Sequence, residues 1–141
     1  MDSLQEIENI RDMIIRLSRK LRGSLKKRLA KSGFGIMPLP YNLLALLAIR
    51  NLTLQEIALE MEINPPTLVA ATDILENKGF LKRTVDMKDR RRTPLQITKA
   101  GHAVLKKVPK VSKSDSFAVS LSRLDKTQRA QLLNSLTRLL I

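Results

Sequence analysis

The 141-residue chain has no cysteine, no tryptophan, one tyrosine and one histidine. Without cysteine it has no disulfide scaffold, no Cys zinc site, no iron–sulfur cluster and no thiol redox switch. With His102 alone, a metal site of several histidines cannot be built within one chain. Aromatic residues make up 3% of the sequence, so the core is aliphatic. Acid is scarce too: 13 Asp+Glu face 26 Lys+Arg, a net charge of +13. No run is long and apolar enough to span a bilayer. The longest uncharged stretch, Ser32 to Ile49, is broken by Gly33, Gly35, Pro38, Pro40 and Asn42, and its clean run from Leu43 is far too short. The first ten residues carry Asp2, Glu6 and Glu8, the reverse of a secretory leader. These absences predict a soluble, cytoplasmic protein with no membrane partner and no cofactor.

What is there begins with a hydrophobic content of 43%, enough for one domain with a core. The basic surplus is clustered. Residues 11–31 hold nine basic residues and one acid, and residues 80–99 hold seven against two. Lys106, Lys107, Lys110 and Lys113 follow with no acid among them. Residues 32–79 are net acidic. Such a field points to a polyanion, with nucleic acid ahead of a membrane surface. For any single lysine a solvated surface is the plainer reading.

Hydrophobic spacing predicts mostly helix. Leu4, Ile7, Ile10, Ile14, Leu17, Leu21, Leu25 and Leu29 recur every three or four positions, so residues 3–31 read as one long helix. Ser3 and Glu6 form an expected capping box, and Gly33 and Gly35 stop the helix. A stripe this long suits a dimer interface, its own domain, or both. A buried helix follows over residues 39–49, then a short one over 53–60 with a Thr53–Glu56 capping box. After a tight break, Asn64 caps a fourth helix with Pro65 and Pro66 in its first turn, closed by Gly79. That is a helix-turn-helix layout. Two short strands, 80–85 and 92–97, flank a charged tip and make a wing. Thr98 caps a fifth helix that ends at Pro109. Residues 110–116 read as loop. Asp125 and Gln128 cap a last helix whose expected buried stripe is Leu132 or Leu133, Leu136, and Leu139 or Leu140.

Leu52 to Leu105 resembles the MarR family of winged-helix transcriptional regulators. The match lies at Leu52-Thr53, Ile57-Ala58, Leu68, Leu75, Gly79, Arg83, Asp89, Arg91, Ile97-Thr98 and Gly101. The resemblance implies a mainly α fold with a small β-wing, namely a winged helix-turn-helix plus a helical dimerisation domain from the N- and C-terminal helices. The expected division is a dimerisation helix over 1–35, the DNA-binding domain over 36–100, and C-terminal dimerisation helices over 101–141. It implies a homodimer on a pseudo-palindromic operator in double-stranded DNA, with half-sites about 10 base pairs apart. It also implies a repressor, with a small-molecule effector that releases DNA in many members. Nothing in the residues names that effector. Tyr41, Phe34 and Phe80 are the aromatics near the junction, and His102 reads as structural or surface.

On the recognition helix, Leu68, Ala71, Thr72 and Leu75 should face the core. Asn64, Pro66, Thr67, Val69 and Ala70 are then the candidate DNA-facing residues. Members of the family usually place Ser, Thr, Arg or Gln there, whereas only Asn64 and Thr67 offer hydrogen bonds here. Asn64 is first of all a helix cap. On the wing the candidates are Lys82, Arg83, Lys88, Asp89, Arg90, Arg91 and Arg92. Arginine suits a narrow minor groove, and by resemblance Arg90 or Arg91 enters it. Asp89 either braces the turn by pairing with a wing arginine or is an ordinary turn residue. Lys82 and Arg83 read as phosphate contacts.

No glycine-rich phosphate loop, nucleophile elbow or metal-ligand cluster suggests an enzyme. The apolar recognition face leaves two alternatives beside a sequence-specific regulator. One is a non-specific architectural winged-helix protein. The other is a protein-interaction module using Val69, Ala70 and Ile74.

Overall fold

The computed structural model describes residues 3–141 and contains seven helices and three short strands among them. The chain divides into two compact units, Met1–Lys27 with Lys110–Ile141, and Arg28–Pro109.

The unit Arg28–Pro109 is built on an aliphatic core, as the shortage of aromatics demands. Helix α2 (Pro38–Leu47) is nearly apolar all round and buries Leu43, Leu44 and Leu47. Ile57 comes from α3 (Leu54–Met61), Leu68 and Leu75 from α4 (Pro65–Asn77), and Val104 from α5 (Lys99–Lys107). Each fully buried side chain of this size contributes about 1.5–3 kcal/mol. Phe34 and Phe80 meet edge to face, centroids 6.1 Å apart.

Local chemistry sets the helix ends where the sequence predicts them. Thr53 and Glu56 close their capping box on α3, with Thr53 N donating to Glu56 Oε2 at 2.9 Å. The break into α4 turns on Glu62, which adopts φ 52, a left-handed conformation rare for a residue with a side chain. Asn64 then caps α4 by accepting from Thr67 N at 2.9 Å, and Thr98 caps α5 by accepting from Gly101 N. Gly79, at φ 75, terminates α4.

Strand β1 (Leu52–Thr53) has no counterpart in the sequence reading; two residues carry no periodicity. It joins β2 (Leu81–Arg83) and β3 (Pro94–Ile97) in an antiparallel sheet ordered β1-β3-β2. Leu52 faces Leu95, and Leu81 faces Ile97. Both wing strands are shorter than expected; beyond Arg83 the hairpin continues through the isolated bonds Thr84 N to Pro94 O and Asp86 N to Arg92 O. Gly101 explains itself by proximity: a Cβ there would sit 2.1 Å from the Phe80 carbonyl oxygen. The carbonyl is held in place by Thr98 N, which donates to it at 3.0 Å.

The other unit contains the first part of α1 (Ser3–Ser32), α6 (Ser116–Leu121) and α7 (Lys126–Leu139). The expected Ser3–Glu6 capping box concerns the start of α1, which lies outside the described residues. Helix α6 has no counterpart in the sequence pattern; at six residues it is too short for an apolar stripe to register. Asp115 caps it and also accepts from Ser24, and Lys20 donates to Ser120, so α1 and α6 are tied. Helix α7 starts with the expected Asp125–Gln128 capping box. Its stripe is not buried within the chain: Leu132, Leu133, Leu136, Leu139 and Leu140 are all exposed. Leu4, Ile7, Ile10, Ile14, Leu17 and Leu21 of α1 are exposed likewise.

Candidate nucleic-acid interface

Helix α4 presents two faces. Leu68, Ala71, Thr72 and Leu75 are buried, as their spacing predicts, and the Thr72 hydroxyl finds no hydrogen-bond partner there. Asn64, Pro66, Thr67, Val69 and Ala70 are all exposed. The two polar side chains of that surface are largely spent on each other. Asn64 Oδ1 accepts both the Thr67 amide at 2.9 Å and the Thr67 hydroxyl at 2.5 Å. Only the Asn64 amide NH₂ and a Thr67 lone pair remain for a base edge.

The wing tip is held by two aspartates. Asp86 Oδ1 accepts from Lys88 N at 2.9 Å and Asp89 N at 3.4 Å. Asp89 Oδ1 accepts from Arg91 N at 3.1 Å and Arg91 Nε at 3.2 Å. Asp89 therefore does pair with a wing arginine, and with the one spaced Asp-x-Arg from it. Backbone bonds from Asp86 N to Arg92 O and from Arg92 N to Asp89 O close the turn.

The four basic tip residues separate into two kinds. Arg92 is anchored inside the protein. Its Nε and Nη2 meet the two Glu56 oxygens at 3.0 and 2.6 Å, Nη1 meets Asp86 at 3.1 Å, and Nη2 also meets the Asn51 carbonyl at 2.9 Å. All three nitrogens are engaged and the side chain is 25% exposed. The expectation that Arg92 faces DNA assumed an equal role for each arginine of the run. Residues 92 and 86 in fact form a second layer beneath the tip. Lys88, Arg90 and Arg91 are exposed, the Arg91 side chain to 93% despite its bond to Asp89.

The strand residues differ in the same way. Lys82 is exposed. Arg83 is hydrogen-bonded to Glu76 and lies 3.8 Å from Asp73, both on α4. Part of its charge is thus already answered by α4.

These pairings shift proton affinities. The Arg92 hydrogen bond, followed by the Thr53 amide, holds the Glu56 carboxyl below its ordinary value. The Lys88 amide, followed by Arg92, does the same for Asp86. Arg92 is raised in turn, chiefly by Glu56. Sequence reasoning did not find Glu56 or Asp86 as wing anchors. The available signal was three consecutive arginines beside two carboxylates, Asp86 and Asp89, too few to pair all three.

Among the described residues no group of three or more His, Asp or Glu side chains is placed to hold a metal ion, and no helix is long and apolar enough to cross a membrane.

Residues 43–93 match the MarR family model. A search of curated protein sequences finds no match. Among solved structures, the transcriptional regulator BldR from Sulfolobus solfataricus is 24% identical, over 99% of this chain and 98% of that one, with a TM-score of 0.78. A mutant MarR from E. coli complexed with operator DNA is 20% identical over 100% of both chains, also with a TM-score of 0.78. The MepR–DNA complex of S. aureus is 23% identical over 91% and 93%, with a TM-score of 0.70. The shared fold runs from α1 to α7, and the matched family is one of transcription regulators rather than enzymes. Residues 43–93 thus match the MarR family, and along its whole length the chain has a fold similar to that of solved MarR-type regulators.

Proposed function

We propose that the protein is a homodimeric transcriptional regulator that binds a pseudo-palindromic operator in double-stranded DNA and acts as a repressor. The observation that carries this reading is the division of labour on the wing. Arg92 fastens the hairpin to α3, and this leaves Lys88, Arg90 and Arg91 exposed together at its tip. A cationic finger that is both rigid and exposed fits the minor groove and its phosphates. Two structural neighbours are complexes of MarR and MepR with DNA, which supports the same placement here.

Dimerisation is supported by the exposed stripes of α1 and α7, which one chain leaves in water over many turns. In this reading residues 1–35 and 101–141 supply the dimer contacts and residues 36–100 the DNA contacts. Release by a small molecule has a candidate place, an open cleft of about 570 Å³ bounded by Leu47, Arg50, His102 and the wing residues Thr84 to Met87. A ligand there would bias the wing directly, since the wing forms one wall.

The test is a titration of duplex DNA with wild type and with Arg90→Ala/Arg91→Ala. Loss of two phosphate contacts should lower the slope of log affinity against log salt by about 2. Undiminished binding by the double variant overturns the wing assignment. A second reading, non-specific architectural binding, is favoured by the apolar surface of α4 and the mutual bonding of Asn64 and Thr67. Selection from random duplexes separates the two: an enriched palindrome supports the regulator, and no enrichment supports the architectural protein.

A further inference from the structure

The winged helix does not hold most of the charge. The unit Met1–Lys27 with Lys110–Ile141 carries thirteen basic and six acidic residues, a surplus of +7 out of the +13 of the chain. On α1 the segregation is complete. From Met13 to Ser32 there are eight basic residues and no carboxylate. The other two carboxylates of the unit beyond Asp12 are Asp115 and Asp125, and both cap helices.

These cations form a face. At 3.6 residues per turn, Arg16, Arg19, Lys26 and Lys27 lie on one side of α1, opposite the stripe of Ile10, Ile14, Leu17 and Leu21. All four are exposed. Arg16 with Lys20, Arg22 with Lys26, and Lys27 with Lys31 are like charges one turn apart, which weakens a helix on its own. An anion laid along the face removes that penalty. The span from Arg16 to Lys27 is about 16 Å, several phosphates of one DNA strand, which repeat about every 3.4 Å of rise.

We propose that this cationic face of α1 is a second docking surface for the backbone of duplex DNA, outside the winged helix. A lipid surface fits less well. A membrane-bound amphipathic helix buries its apolar side in the headgroup region, and in the homodimer proposed above that side is covered by the second copy; on this point alone the inference rests on that reading. The surface carries no base recognition, only charge and reach, so it adds affinity without sequence preference.

The experiment compares random-sequence duplex binding by wild type, by Arg90→Ala/Arg91→Ala and by Arg16→Gln/Arg19→Gln/Lys26→Gln/Lys27→Gln. Glutamine keeps helix propensity and removes the like-charge repulsion. The α1 variant is expected to bind at least tenfold more weakly at low salt and to lose about 3 from the salt slope, with the circular dichroism of wild type. A loss confined to the wing variant, with the α1 variant unchanged, overturns the surface and leaves the winged-helix reading intact. A second measurement is independent of folding in that variant. The chain lacks cysteine, so Arg19→Cys offers one attachment point for an aryl azide. Photolysis with duplex DNA should yield an adduct at residue 19. Absence of the adduct, or cosedimentation of the protein with phosphatidylserine vesicles in its place, overturns the proposal.

Discussion

Arg92 grips Glu56 through both carboxylate oxygens, at 3.0 and 2.6 Å, and so fastens the wing to the first turn of α3. The same Glu56 closes the capping box of that helix by accepting from Thr53 N. One carboxylate therefore organises the start of the helix-turn-helix and the base of the hairpin together.

Replacing Arg92 should not behave like replacing a DNA contact. Arg92→Gln is expected to loosen residues 84–92 and weaken DNA binding about three- to tenfold, because a mobile finger must be ordered on binding. Its salt slope should stay at the wild-type value, since no phosphate contact is removed. A slope that falls by about 1 would place Arg92 on the DNA instead. Amide exchange of the wing gives the complementary readout, with faster exchange expected in the variant.

The acid limb of stability should report the same anchor. Glu56 and Asp86 both have folded-state proton affinities below the ordinary carboxylate range. Their stabilisation is therefore complete above pH about 4–5 and is lost as pH falls through the lower, folded-state values. Thermal unfolding between pH 6 and pH 3 should show a decline in Tm that is shallower in Glu56→Gln than in wild type. Parallel declines would show that the pair contributes nothing to the pH dependence.

Gly101→Ala is expected to be strongly destabilising, by about 2–3 kcal/mol or more. The added methyl would meet the Phe80 carbonyl oxygen at 2.1 Å and Ile97 Cγ1 at 2.7 Å. A backbone carbonyl held by Thr98 cannot swing aside as a side-chain tip would, so α5 must shift. Urea unfolding measures the loss, and a change below 0.5 kcal/mol would contradict the close approach.

Asn64→Ala should remove a cap worth about 1 kcal/mol from α4. Its effect on the choice between duplex sequences should be small, because its oxygen already serves Thr67. A discrimination loss of tenfold or more at a single base pair would instead make Asn64 a base contact.

The parts of this fold legible in the sequence are those fixed by local rules. Thr53–Glu56, Asn64 and Asp125–Gln128 are caps whose partners lie three residues away, and each sits where its spacing places it. The buried face of α4 follows from period 3.6 alone. Features that depend on distant partners were not legible. Strand β1 exists because Leu52 meets Leu95, and Arg92 differs from Arg90 because Glu56, 36 positions earlier, reaches it. The leucines of α7 show the limit from the other side. Their period correctly announced an apolar stripe, but period cannot say which surface covers it.

The sheet order has a consequence for how the protein is made. Strand β3 is the middle strand although it is the last in the chain. Until residues 94–97 have been synthesised, Leu52 and Leu81 have no strand to pair with. The helices α2 to α4 can collapse on local contacts first, and the hairpin closes onto β1 only afterwards, across a loop of more than forty residues. The wing thus forms only after the helix-turn-helix, and a nascent chain interrupted before residue 97 would carry a helix-turn-helix with two unsatisfied strand edges.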